Sequence, residues 1–355
     1  MPLNLTSLTG RYHRIIADLH EKYGHTVRIG PDEVSYTSAE AWKDIYGRRQ
    51  DHQEFPKDPY GQLKTVNGVP SIIGATRENH SRYRRLLSHA FSEKGMREQE
   101  PLIQKYVNLL IQRLHQYSGD GAQNMVNWYN WTTFDLIGDL AFGEPFHCLE
   151  NVYNHPWIAF IHGNLKSIPF ISLFRRYGLS GFIEYFVPKK ILQARQQNYE
   201  YTKDKVTTRM KLGKDRGDFL DYVLKFEYPK GMTTEELVST SSALAVAGSE
   251  TTAALLSGAT YLLLQHPNVM TKLVAEIRGT FSKDMDITIV SVGQLRYLTA
   301  VLEESMRLYP PVPTGLYRVV PKGGDTVVGK WIPGGVSHFS NHVPIAAAEQ
   351  GLTSD

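Results

Sequence analysis

The run Ala247-Gly248-Ser249-Glu250-Thr251-Thr252 places one carboxylate and several hydroxyls beside a glycine. It lies in the middle of a long stretch with helical apolar spacing. Gly costs about 1 kcal/mol against Ala in a helix interior, and Ser and Thr compete for backbone hydrogen bonds. Weak helix formers gathered at one point suggest a local opening with a purpose. Gly248 removes a side chain, so a flat group could approach the backbone. Glu250 and Thr251 could then pass protons into the space made. The same residues also suit a loosely packed spot with a solvated glutamate, and spacing alone leaves both readings open.

Glu304 and Arg307 are three apart and share a helix face. Val301, Glu304 and Leu308 fall on one side, which turns the pair partly inward, and a buried Glu–Arg pair is usually structural. His80 and Arg84 are four apart in a basic run with Arg82 and Arg85. Such a cluster suits an anion such as a carboxylate, or forms a solvated basic face. Cys148 is the only cysteine, and a lone cysteine reads as a small buried hydrophobe before it reads as a ligand. His338 and His342 could share a helix face, but read as surface histidines rather than a metal site.

The elements that position these residues are mostly helical. The spacing predicts helices over 12–23 (closed by Gly24), 38–46, 77–91, 102–117 and 131–142. Thr26–Ile29 and Val34–Tyr36 alternate around Gly30-Pro31-Asp32 and read as a hairpin. Residues 53–74 are rich in Pro and Gly and read as a loop. Residues 157–186 read as two short helices with a join, and 189–212 as a charged helix. The longest helix starts at the capping box Thr233/Glu236 and ends before Pro267, on the order of 48 Å at 1.5 Å per residue. Leu316–Val320 and Asp325–Ile332 read as two strands around a Lys322-Gly323-Gly324 turn. Val336–Asp355 shows no strand alternation and reads as a divergent, disordered tail.

The chain has 355 residues with 39 basic and 36 acidic side chains. That balance is too even to suggest nucleic-acid binding. One cysteine excludes a disulfide framework. No run of ~20 apolar residues suggests a membrane span, and the N-terminus lacks the regions of a signal peptide. A soluble or peripherally attached chain is expected.

Ala-Gly-x-Glu-Thr-Thr on a long helix, then Glu-x-x-Arg-Leu-Tyr-Pro-Pro-Val-Pro, then an arginine before a Gly-Gly turn, resembles the haem-thiolate monooxygenases, the cytochromes P-450. The segments LHEKYG, VRIGPDEVSYT, HSRYRRLLSHAF and DLAFGEPF extend the resemblance over about Leu19–Gly335. The wording is similar to fungal members that oxidise secondary metabolites. The resemblance implies a mainly α fold with small β-sheets, a haem b cofactor, and an NADPH-dependent reductase as partner. It also implies a small hydrophobic substrate, a terpenoid or polyketide.

At matching positions it implies that Glu250 and Thr251 deliver protons to bound dioxygen and that Ala247 and Gly248 lie over the haem. His80, Arg84 and Arg318 would hold the propionates, and Glu304 with Arg307 would brace the far side. Substrate contacts would come from Val69–Ile73, Phe160–Phe174, Ala243 and Val312–Leu316. The family is usually anchored in the endoplasmic-reticulum membrane, so this chain would be cytoplasmic or peripheral.

The chain departs from the family in one chemical respect. The family holds iron through a cysteine thiolate in a Phe-x-x-Gly-x-Arg-x-Cys-x-Gly loop, and no such loop follows Arg307. The expectation is an incomplete domain over 1–335, truncated at its C-terminus and without its N-terminal anchor, inactive as it stands. The competing readings are an active monooxygenase whose coding sequence continues differently, and a non-catalytic helical binding protein.

Overall fold

The structure, a computed structural model, describes residues 3–50, 52–61, 65–179, 189–213, 216–226 and 229–340. In chain order the first elements are α1 Tyr12–Tyr23, β1 Thr26–Gly30, β2 Glu33–Tyr36, α2 Ala39–Tyr46, α3 Arg77–Leu87, α4 Glu93–Tyr117 and α5 Met125–Phe142. There follow α6 Cys148–Asn151, α7 Pro156–Arg176, α8 Lys189–Lys211, α9 Phe219–Val223 and α10 Thr234–Gln265. The last are α11 Pro267–Thr280, α12 Ile289–Val292, α13 Arg296–Leu308, β3 Arg318–Val319, β4 Asp325–Val327, β5 Lys330–Ile332 and β6 Ser337–Ser340. The expected mainly helical fold with small sheets is what forms. Among the described residues no helix is long and apolar enough to cross a membrane.

The chain divides into two compact units built from interleaved segments. One comprises Met1–Leu63, Asn164–Val187 and Met306–Asp355. Its four-stranded sheet has the order β1-β2-β6-β3. β1 and β2 form the expected hairpin, with Thr26 opposite Tyr36. α2 starts where Ser38 accepts a hydrogen bond from the Ala41 amide, a serine N-cap. A small core of Tyr36, Ala41, Ile45, Phe55, Val320 and Val327 fills this unit.

Two expectations about this unit are corrected. Ser337–Ser340, expected to lack strand structure, form β6, which runs parallel to β2 and antiparallel to β3 in the interior of the sheet; residues 341–355 lie outside the described residues. The Ser-His-Phe-Ser run is too short and polar for a period-two signal. Its pairing comes from two neighbouring ladders and from Ser337, whose amide donates to Asp32 O (2.7 Å) and whose hydroxyl donates to Asp58 (2.6 Å). His338 is therefore fully buried in a strand, beside the rings of Tyr36 and Phe55, and not on a helix surface. His342 lies outside the described residues. The second correction concerns the hairpin: it joins β4 to β5 through Val328-Gly329, both at positive φ. The Lys322–Gly324 turn instead separates β3 from β4, which belong to different sheets.

The other unit comprises Lys64–Gly163 and Pro188–Ser305. Its spine is α10, which opens on the capping box: Thr233 Oγ1 accepts the Glu236 amide, and Glu236 accepts the Thr233 amide. α10 packs mainly against α5, a helix buried along most of its length. Phe146 stacks on Phe134 (4.2 Å between ring centroids) and on Trp157 (5.1 Å) at the centre of the core. α4 begins nine residues earlier than the apolar spacing predicts, at Glu93 rather than Leu102. Its first turns are polar and contain Pro101, so periodicity misses them. The first part of the stretch 157–186, expected as two short helices with a join, is the single helix α7, which runs through Pro169; residues 180–186 lie outside the described residues.

Candidate functional site

α10 carries the residues with chemical potential. Side chains four apart form rows along a helix. The row Ser241, Ala245, Ser249 and Ala253 is buried. Ser249 Oγ donates to the Ala245 carbonyl at 2.7 Å, so its hydroxyl is spent within the helix. These small side chains let α5 approach closely. A Cβ on Gly248 would lie 2.8 Å from Ile137 Cδ1. The space that Gly248 leaves is therefore filled by α5. On this side Gly248 allows a close approach of α10 to α5.

The neighbouring row, Ala243, Ala247 and Thr251, is the open side. Ala247 is exposed, and Ala243 and Thr251 are half-buried. Thr251 Oγ1 donates to the Ala247 carbonyl at 2.6 Å. Its proton is thus engaged in the helix, while its lone pairs remain able to accept. To pass a proton outward the hydroxyl must rotate off that carbonyl. Glu250, the residue before Thr251, is half-buried.

His80 and Arg84 lie on α3, in the same unit. His80 is half-buried and Arg84 exposed. The arginine of this helix that makes the strong contact is Arg82. It donates to both oxygens of Glu236 (3.0 and 2.5 Å) and to the Gly231 carbonyl (2.6 Å). Burial pushes the Glu236 carboxyl upward, but Arg82 and the Thr233 amide outweigh it and hold the group below its usual value. Arg318 belongs to the other unit, on β3, with its guanidinium 5.8 Å from the Tyr46 ring. Glu304 and Arg307 share α13, but Glu304 and Leu308 are exposed and Arg307 is half-buried. The side of α13 that is buried carries Ser305, whose hydroxyl donates to the Val301 carbonyl at 2.7 Å. The inward turn expected for Glu304 is thereby corrected: the buried position on α13 is Ser305.

The row Ala243–Ala247–Thr251 presents small side chains on the more open side of α10, and α3 carries the basic residues His80, Arg82, Arg84 and Arg85. The iron ligand does not fit. Cys148 is fully buried at the start of α6. Burial, reinforced by the Asp135 charge, pushes its thiol up to about 12, whereas the ligand form is the thiolate. Asp135 accepts the amides of Phe146 (3.1 Å), Cys148 (3.0 Å) and Leu149 (2.8 Å), so Cys148 belongs to a structural turn. Among the described residues no three His, Cys, Asp or Glu side chains cluster as metal ligands.

Residues that the spacing does not reveal include Glu235, Arg82 as the partner of Glu236, and the buried Arg209. The capping box flags Glu236 and the basic run flags Arg82, but no local signal pairs them. Arg209, with no exposed side-chain surface, is held by Asp218 and Asp221.

The family model described as cytochrome P450 matches residues 2–342 of the chain. The chain is 48% identical to the averantin hydroxylase of Dothistroma septosporum over 92% of its own length and 61% of the relative's. It is 45% identical to the averantin hydroxylase of Aspergillus parasiticus over 95% of its own length and 68% of the relative's. It is 41% identical to the versicolorin B desaturase of Dothistroma septosporum over 96% and 68% respectively. The chain therefore spans 61% to 68% of the length of these relatives. A match of this extent, with the open row of α10 carrying the sequence motif, means that the chain belongs to the cytochrome P450 family, whose cofactor is haem.

Proposed function

We propose that the chain belongs to a monooxygenase that inserts one oxygen atom of O₂ into a C–H bond of a hydrophobic fungal secondary metabolite. Two electrons from NADPH, delivered by a reductase, and two protons convert the other oxygen atom to water. Averantin is the first candidate substrate. The observation that carries this reading is the 48% identity to an averantin hydroxylase over 92% of the chain. In it, Thr251 and Glu250 hold and move protons beside the open row of α10. His80 and Arg84 neutralise the cofactor's carboxylates, with Arg318 as a further candidate. Glu304 and Arg307 serve α13 as structural residues.

The 355-residue chain on its own is read as inactive, because its single cysteine is a buried thiol. The test is the absorbance spectrum of the purified chain after haem addition, reduction and carbon monoxide. The expected result is no haem, or a Soret band of histidine or water ligation. A red-shifted band of thiolate type that disappears in Cys148→Ser would overturn the reading of inactivity. The same polypeptide extended to the length of its relatives, with a cysteine loop and a reductase, is expected to convert averantin to an oxygenated product. No product from that form would sink the substrate assignment.

A further inference from the structure

Glu235 stands at the second residue of α10 and gathers three side chains from two separate stretches of its unit. The Tyr199 hydroxyl donates to its Oε2, and Lys203 Nζ lies 2.8 Å from its Oε1. Both come from α8. Asn67 Nδ2 donates to the same Oε2 at 3.0 Å and to the Glu235 carbonyl at 3.3 Å.

Asn67 is itself fully engaged. Its Oδ1 accepts the Val69 amide at 3.1 Å and the Ser239 hydroxyl at 3.1 Å. Ser239 is one turn further along α10. The turn around Asn67 is closed by Gly68 N–H on the Thr65 carbonyl (3.3 Å) and by the Thr65 hydroxyl on the Val69 carbonyl (2.8 Å). Gly68 has a φ of +73°, which suits the turn to glycine. One carboxylate thus fixes the start of the segment Val69–Ile73 to two helices. Ile72 packs on the core while Ile73 is exposed.

We infer that Glu235 is a positioning residue: its carboxylate clasps the segment 65–73 to α8 and α10 and so sets where Val69–Ile73 meets substrate. The substrate half of this inference rests on the function proposed above; the clasp itself does not. The hydrogen bonds from Asn67, Lys203 and Tyr199 hold the Glu235 carboxyl down at about 2, so the clasp carries its charge at neutral pH. A carboxylate accepts several donors at once, a pattern that a glutamine cannot reproduce for both Lys203 and Tyr199.

The test is amide hydrogen exchange on the 355-residue chain. Glu235→Ala and Asn67→Ala should each speed exchange at Gly68 and Val69 tenfold or more, with α5 unchanged. Tyr199→Phe should give a smaller local increase. Unchanged exchange at Gly68 and Val69, or an equal rise throughout the unit, overturns the clasp. Averantin affinity is then measured by calorimetry on the extended, haem-loaded protein and should weaken several-fold in Glu235→Ala. If the local exchange rises but affinity does not change, Glu235 is no positioning residue for substrate. If neither protein binds averantin, the substrate reading fails while the clasp stands.

Discussion

Arg209 and Gly143 show how tightly single positions are determined. The Arg209 guanidinium is enclosed by Asp218 (Nη2–Oδ1 3.0 Å), Asp221 and the Gly213 carbonyl (2.6 Å). A buried charge left without its partner costs about 3–5 kcal/mol, so this side chain cannot move aside. Gly143 ends α5 at a φ of +78°, and a Cβ there would lie 2.4 Å from Arg209 Cδ. Gly143→Ala is therefore expected to destabilise the protein by about 2 kcal/mol or more, from backbone strain and overpacking together. Urea unfolding measures it, and Gly119→Ala, which meets nothing within 4 Å, is the control. Equal stability of the two variants would contradict the account. Gly248 differs, because the atom a Cβ would meet is the tip of the Ile137 side chain. Gly248→Val should destabilise by about 1–3 kcal/mol, and Ile137→Ala in the same protein should recover part of the loss.

At the scale of elements, the Arg82–Glu236 pair ties α3 to the first turn of α10. Both side chains are mostly buried, at 17% and 11% exposure. Arg82→Ala leaves a buried carboxylate and should cost about 3 kcal/mol, the low end for breaking a buried pair. The melting temperature reports it, and Arg82→Lys should recover little because one ammonium cannot serve two carboxylate oxygens and a carbonyl in a fixed fork. The same first turn sets the pH response of the helix. Glu235 and Glu236 are both held below their ordinary values. Their contribution is present above the unfolded carboxylate value and is lost as pH falls through the folded one. Acid therefore loosens the N-terminus of α10, and protection of its first amides should drop between about pH 4.5 and the folded value near 2.

For the molecule as a whole, the buried His338 gives a second acid response with a higher onset. Burial lowers its pKa from 6.5 to about 4, and neither ring nitrogen has a hydrogen-bond partner among the described residues. The folded state holds the neutral ring, so its stability is full above about pH 6.5 and declines as pH falls towards 4. Unfolding free energy should show that decline, and His338→Leu should flatten it; an unchanged pH profile would exclude β6 as its source. The sequence by itself determined what acts over a few residues. Gly24 ended α1, Ser38 opened α2, and Thr233 with Pro267 bounded α10, because caps, glycines and prolines act on the backbone beside them. The motif Ala247–Thr251 was likewise legible as a family mark. Only the tertiary structure decided that β6 enters the sheet between β2 and β3, that Ile137 occupies the space over Gly248, and that Glu235 gathers Asn67, Tyr199 and Lys203. Each depends on partners far along the chain, and no local residue pattern encodes which distant surface arrives.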